Sequence, residues 1–212
     1  MNQERVIVYV DGFNLYYGAV RGTAFKWLNV GALCRRIMRP SDNLVAIKYY
    51  TALISARPHD PEAPVRQQMY LRALKTIPIL SIYYGHFLSH TVRMPLATSL
   101  ASGNVEYVEV LKTEEKGSDV NLASHLLRDA YTGGFDLAVV VSNDSDLAEP
   151  IRIVREELGK PVGILNPQRN PSRVLQRNAD FFKKIRAHAL RESQFPRTLR
   201  DAHGTFHKPL AW

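Results

Sequence analysis

Apolar residues in this chain fall into two patterns whose alternation predicts the fold. Continuous runs at residues 5–10 (RVIVYV), at Leu137–Val141 and at residues 160–165 are too short for helices and rich in β-branched side chains. They predict strands buried on both faces, as in a parallel sheet. Residues 44–53 and 79–87 predict further strands, the first with Ile47 and Tyr49 alternating against Lys48 and Tyr50. Between them the period lengthens. Helices are expected over 27–38, stopped by Pro40, and over 65–77, with Val65, Met69 and Leu74 roughly on one face. Residues 112–119 open another, with Val120, Ala123, Leu127 and Ala130 inward. Leu147, Ile151, Val154 and Leu158 mark the next, which Gly159 and Pro161 close.

The rest is less regular. Residues 88–103 read as a surface loop and 104–112 as a strand. Residues 172–189 read as one helix with Val174, Leu175, Phe181, Phe182 and Ile185 inward. From 193 to 212 the pattern dissolves into an extended tail pinned by Phe195, Phe206 and Trp212. Strands alternating with helices predict an α/β fold, a Rossmann-like parallel sheet with helices on both faces. The expected organisation is a single domain over residues 1–190 and a C-terminal tail over 191–212.

Composition narrows the class. The 212 residues, 45% of them hydrophobic, suffice for one substantial core. No apolar stretch approaches the ~20 residues that span a bilayer, so no membrane partner is expected. The first residues carry no basic segment followed by an apolar one, and the single Cys34 excludes an internal disulfide. Both suit a cytoplasmic protein. Lys and Arg outnumber Asp and Glu by 28 to 20, a net charge of +8 that favours a polyanionic partner.

The scarce acids are placed unusually. The run Leu137–Val141 stops at Ser142-Asn143-Asp144-Ser145-Asp146, and the run at 5–10 stops at Asp11. Asp119 follows Gly117 and Ser118 at the start of a helix. Helix capping accounts for any one of these: Asp146 with Glu149 forms a passable capping box, Asp144 or Ser145 could cap equally well, and Ser118 is a natural cap. Capping does not account for all of them at one sheet edge. Two carboxylates ~4 Å apart repel by about 4 kcal/mol at an effective dielectric near 20, so a cluster of four persists if a cation fills it. Oxygen-only ligands point to Mg²⁺ or Mn²⁺. His86 and His90 have a zinc-like spacing in a strand-to-loop context that does not suit zinc, and Glu114 and Glu115 read as a solvated charge run. No glycine-rich phosphate motif follows any strand.

A hard cation on a basic protein suggests phosphodiester hydrolysis. The segments VYVDGFNLYYG, EKGSDVNLASHLLRDA and VVVSNDSDLAEPIRIVREELGKPVGIL resemble, in order, the three motifs of NYN domains, a branch of the PIN-like nucleases. The resemblance covers most of residues 5–185 and implies a metal-dependent ribonuclease with a Rossmann-like fold. By that similarity Asp11, Asp119, Asp144 and Asp146 would be the acidic, metal-holding site. Asn14 would orient Asp11 or a water, and Ser142 and Asn143 would shape the turn and meet metal or substrate. Asn143 stands where small or glycine residues are often found. Arg173 and Arg177 share a helical face that would follow the backbone of a single-stranded RNA. The oligomeric state is not legible, and a homodimer is left open. The alternatives are an RNA- or nucleotide-binding regulator with an inactive metal site and, third, an aromatic-ring hydroxylase. The last would need a flavin site, a haem ligand or a two-histidine, one-carboxylate triad, and no such motif stands in the sequence.

Overall fold

The computed structural model describes residues 3–100 and 105–212. Six strands form one parallel sheet: β1 (Arg5–Asp11), β2 (Asn43–Thr51), β3 (Leu80–Tyr84), β6 (Leu137–Val141), β7 (Val162–Asn166) and β8 (Phe181–Lys184). Their spatial order is β3-β2-β1-β6-β7-β8. Counted along the chain within this sheet, that is the doubly wound order 3-2-1-4-5-6, with the order reversing between β1 and β6.

The helices are α1 (Gly12–Leu15, continued by a π-helical turn, Tyr16–Val20), α2 (Val30–Ile37), α3 (Ala63–Leu74), α4 (Ala97–Leu100) and α5 (Ser118–Tyr131). After β6 come a 3₁₀ turn (Ser145–Leu147), α6 (Ala148–Arg152, continued by a π-helical turn, Ile153–Glu157), α7 (Arg173–Asn178) and α8 (Ala187–Arg191). Because strand side chains alternate between faces, β1 feeds two cores. Val6, Val8 and Val10 join Leu15, Trp27, Leu33, Leu71 and Leu74 on one side of the sheet. Ile7 and Tyr9 join Leu122, Leu126, Phe135, Ile151 and Val154 on the other.

Several expectations are corrected. Of residues 88–103, expected as a loop, those up to Pro95 form a strand and 101–103 lie outside the described residues: β4 (His86–Pro95) pairs antiparallel with β5 (Tyr107–Lys116) over ten residues, from His86 opposite Lys116 to Pro95 opposite Tyr107. The strand expected from Asn104 begins outside the described residues, and 112–116, expected to open a helix, complete β5 instead. Both faces of this ribbon meet solvent, Leu111 being 73% exposed, so no core imprinted a period on β4.

Residues 172–189 are not one helix. After α7 the chain extends at Ala179, and β8 adds a sixth strand beside β7. Asp180 fixes that edge, accepting from the Val162 N–H at 2.7 Å and from Arg155 at 2.8 Å. Phe181 and Phe182 thereby pack on opposite sides of the sheet. Val174, expected inward, is exposed.

In two helices one residue expected inward is exposed, while Ala123, Leu127 and Ala130 in α5 and Met69 and Leu74 in α3 pack on the cores as expected. Val120 is 68% exposed while Leu122 and Leu126 are buried on α5, which begins one residue after Gly117 with its left-handed φ of 95°. Val65 is exposed while Leu71 and Leu74 carry α3 onto the sheet. The segment after 193 is more than an extended tail. It forms a hairpin of β9 (Thr198–Asp201) and β10 (Gly204–His207), with Phe195 and Phe206 buried in the first core. Trp212 packs edge-on against Trp27.

Candidate active site

Asp11 ends β1, Ser142–Asp144 follow β6, and Asp119 lies in the first turn of α5. The first two flank the point where strand order reverses, the place where neighbouring connections diverge to opposite faces and leave a crevice. Asp11, Asp119 and Asp144 line that crevice with Glu115, Ser118, Asn14, Phe13, Tyr17, Arg57 and Gln168, around a cavity of about 330 Å³.

Short hydrogen bonds hold the corners together. Asp11 caps α1, its Oδ1 accepting from the Asn14 N–H at 2.9 Å, while its Oδ2 accepts from Ser142 Oγ at 2.9 Å. Ser142 Oγ in turn accepts from the Asp144 N–H at 3.1 Å. Asn14 Oδ1 receives the Asn143 N–H at 3.1 Å and Gln168 Nε2 at 3.4 Å. Asn143, in the position often held by a small residue, reaches away from the crevice. Its Nδ2 donates to the Asn170 carbonyl at 3.0 Å, and its Oδ1 accepts from the Ser172 N–H at 2.7 Å. The turns after β1, β6 and β7 thus form one hydrogen-bonded unit. Gly12 lets α1 approach β2, since a Cβ there would sit 2.7 Å from the Tyr50 carbonyl oxygen.

Charge in this unit is only partly compensated. Asp11 is 7% exposed, and burial pushes its carboxyl up to about 7; Asp119 and then Asp144 add to the rise, against the hydrogen bonds from Asn14 and Ser142. Asp119 is also raised, by burial first and then by Asp144, Glu115 and Asp146. Its carboxylate has no hydrogen-bond or ion-pair partner among the described residues.

Asp146 stands apart. Its side chain is exposed and does not line the crevice, and its N–H donates to Asp144 Oδ1 at 3.0 Å. The cap of that turn is therefore Asp144. Arg173 and Arg177 are exposed on α7, whose N-terminal Ser172 is tied to Asn143.

Several residues of the crevice were missed, among them Arg57 and Glu115. Glu115, read as part of a solvated run, accepts from Ser118 N–H at 3.2 Å and Ser118 Oγ at 2.6 Å, and so caps α5 in place of Ser118. Its place three residues before a serine at a helix start was the available signal.

The crevice offers a cation only oxygen ligands, with no histidine or cysteine in its lining and one half-buried carboxylate unpartnered. Those donors suit Mg²⁺ or Mn²⁺. Among the described residues no three His, Cys, Asp or Glu side chains are grouped closely enough to enclose an ion as they stand.

The family model for the NYN domain matches residues 5–186. This chain belongs to the NYN domain family. It therefore carries a PIN-like nuclease superfamily domain. The chain is also 29% identical, over 98% of its length and 75% of the relative's, to 6-hydroxy-3-succinoylpyridine 3-monooxygenase HspA of Pseudomonas putida (strain DSM 28022 / S16). A solved structure, a protein of unknown function, VPA0982, from Vibrio parahaemolyticus RIMD 2210633, shares the fold with a TM-score of 0.57. At 18% identity it covers 87% of this chain and 94% of its own. No helix among the described residues is long and apolar enough to cross a membrane.

Proposed function

We propose that this NYN domain protein hydrolyses phosphodiester bonds of single-stranded RNA at the crevice of Asp11, Asp119 and Asp144, with Mg²⁺ or Mn²⁺ as cofactor. The observation that carries the reading is the convergence of three carboxylates from separate turns on a crevice in which Asp11 is raised by its neighbours as well as by burial. A scaffold gains nothing from such repulsion, whereas a cation relieves it. A divalent ion held there would lower the pKa of water to supply a nucleophile and would offset charge on the phosphate.

The chain's own groups have distinct tasks. Asn14 and Ser142 hold Asp11 in one orientation, and Glu115 fixes the start of α5 and with it Asp119. Arg57, on the crevice wall, has no ion pair among the described residues and is free to take a phosphate. Asp146 acts at longer range, and Arg173 and Arg177 would follow the RNA backbone beyond the crevice.

The test is labelled single-stranded RNA incubated with the protein and Mn²⁺, Mg²⁺ or EDTA, beside Asp144→Asn. Cleavage that needs metal and Asp144 is the expected result. RNA bound but never cleaved would favour a regulator with an inactive site. The resemblance to the named monooxygenase favours a second reading, an aromatic-ring hydroxylase. Turnover of 6-hydroxy-3-succinoylpyridine with RNA left intact would favour that reading.

A further inference from the structure

A second, larger cleft of about 570 Å³ adjoins the acidic crevice, and the two share Phe13, Tyr17, Ile54 and Arg57 as common wall. Its character is the reverse of its neighbour's. Four cations, Arg21, Lys26, Arg57 and Arg66, face one carboxylate, Asp60, which Arg66 already holds. Arg21, Lys26 and Arg57 make no ion pair among the described residues. Aromatic rings are interleaved with them. Tyr17 is 51% exposed, stacks on Phe13 at 6.4 Å with an interplanar angle of 24°, and carries the Arg21 guanidinium 5.3 Å from its ring centroid. Trp212 stands on the same wall, braced by Tyr70 at 5.9 Å.

Cations alternating with accessible rings are what a groove needs to hold single-stranded nucleic acid, because phosphates meet the charges and bases stack on the rings whatever their sequence. A duplex keeps its bases stacked on each other and cannot use the rings. We propose that this cleft binds the nucleotides flanking the scissile phosphate, one base stacking on Tyr17 beside Arg21 and the adjoining phosphate meeting Arg57. This rests on the ribonuclease reading and adds to it where the strand lies. With a phosphate at the carboxylates, the strand passes the shared wall at Tyr17 and Arg57 and runs on into the cleft. The selectivity that follows is for unpaired RNA with little preference among bases.

The experiment measures binding of a fluorescent hexaribonucleotide in EDTA, where cleavage is suppressed, by anisotropy. The proteins are wild type, Tyr17→Phe, Tyr17→Leu and Arg57→Gln, each first shown to melt like wild type. Tyr17→Leu should weaken binding by about tenfold, within the range of roughly 5- to 150-fold for loss of a stacked base, and Tyr17→Phe should restore it. An abasic strand of equal length should bind wild type and Tyr17→Leu alike. Arg57→Gln should weaken both strands and reduce the salt slope by about 0.7. If the wild type cleaves RNA while Tyr17→Leu binds and cleaves as it does, the cleft proposal is overturned and the ribonuclease reading stands. If the wild type neither binds nor cleaves RNA, both fall. Tight binding of a hydroxypyridine in place of RNA, lost in Tyr17→Leu, would reassign the cleft to a small aromatic ligand.

Discussion

Asp11 and Asp129 are both buried aspartates, and their surroundings treat them in opposite ways. Burial alone would raise both. Around Asp129 it is overcome: Lys48 and Arg128 form ion pairs with the carboxylate, Tyr9 donates to it at 2.7 Å, and the group is held below its ordinary range. Around Asp11 only neutral donors are present, and two further carboxylates face it. The first environment is a finished ion-pair network, complete without any ligand. The second is charge left over, and charge left over is what marks a site for a cation.

Removing the finished charge should cost most. Asp129→Asn leaves Lys48 buried beside a neutral partner and should destabilise the fold by about 3–5 kcal/mol in denaturant titrations. The folded fraction should keep its metal affinity and its hydrolysis. A loss of activity at unchanged stability would move Asp129 into the site.

Removing leftover charge should do the reverse. Asp144→Asn should lower hydrolysis by more than about 100-fold, beyond the 10- to 100-fold typical of a residue that only orients a ligand. Asp146→Asn, outside the crevice, should lose far less. Equal losses at both positions, measured under single-turnover conditions, would mean that exposure misjudges Asp146.

The two aspartates should also respond to pH with opposite signs. Asp129, lowered in the folded state, contributes stability above its unfolded value of about 3.9 and loses it as the medium becomes more acid. Asp11, raised to about 7, favours the folded state below about 3.9 and loses that contribution as pH rises through about 7. Metal-free stability followed from pH 4 to 8 should therefore fall less in Asp11→Asn than in wild type. Parallel curves would show that Asp11 ionises normally.

The smallest effect is expected at the surface. Neutralising Arg173 and Arg177 together should flatten the salt dependence of RNA binding, the log–log slope falling by about 0.7 for each phosphate left without its cation. An unchanged slope would return both to ordinary solvated charge.

Legibility in the sequence followed burial. β1 and β6 lie between two cores, so their apolar runs marked strand and corner nearly to the residue, and the acids at their ends were visible. The β4–β5 ribbon touches water on both faces; part of β5 read as a strand, but nothing in the sequence of β4 separated it from a loop. At 181–182 two phenylalanines fitted a helix and an edge strand equally well; the pairing with β7 decided between them. In the site, Asp144 and Asp146 could not be ranked because they lie two residues apart at a corner whose direction only the fold sets. Glu115 was hidden by the lysines and glutamate beside it, and its capping bonds to Ser118 exist only once β5 ends there.

The central claim is that uncompensated carboxylates await a divalent ion, and differential melting tests it most directly. Wild type and Asp144→Asn would be melted in EDTA and in excess Mn²⁺. The asparagine Oδ1 can keep the bond from the Asp146 N–H, so the turn is preserved. In EDTA the variant should melt higher than wild type, because one of three facing charges is gone. In Mn²⁺ the order should reverse, since an ion binding only the folded form stabilises it by about 2.7 kcal/mol at a hundredfold excess over Kd. Equal Mn²⁺ shifts in the two proteins would contradict the account and return Asp144 to a helix cap.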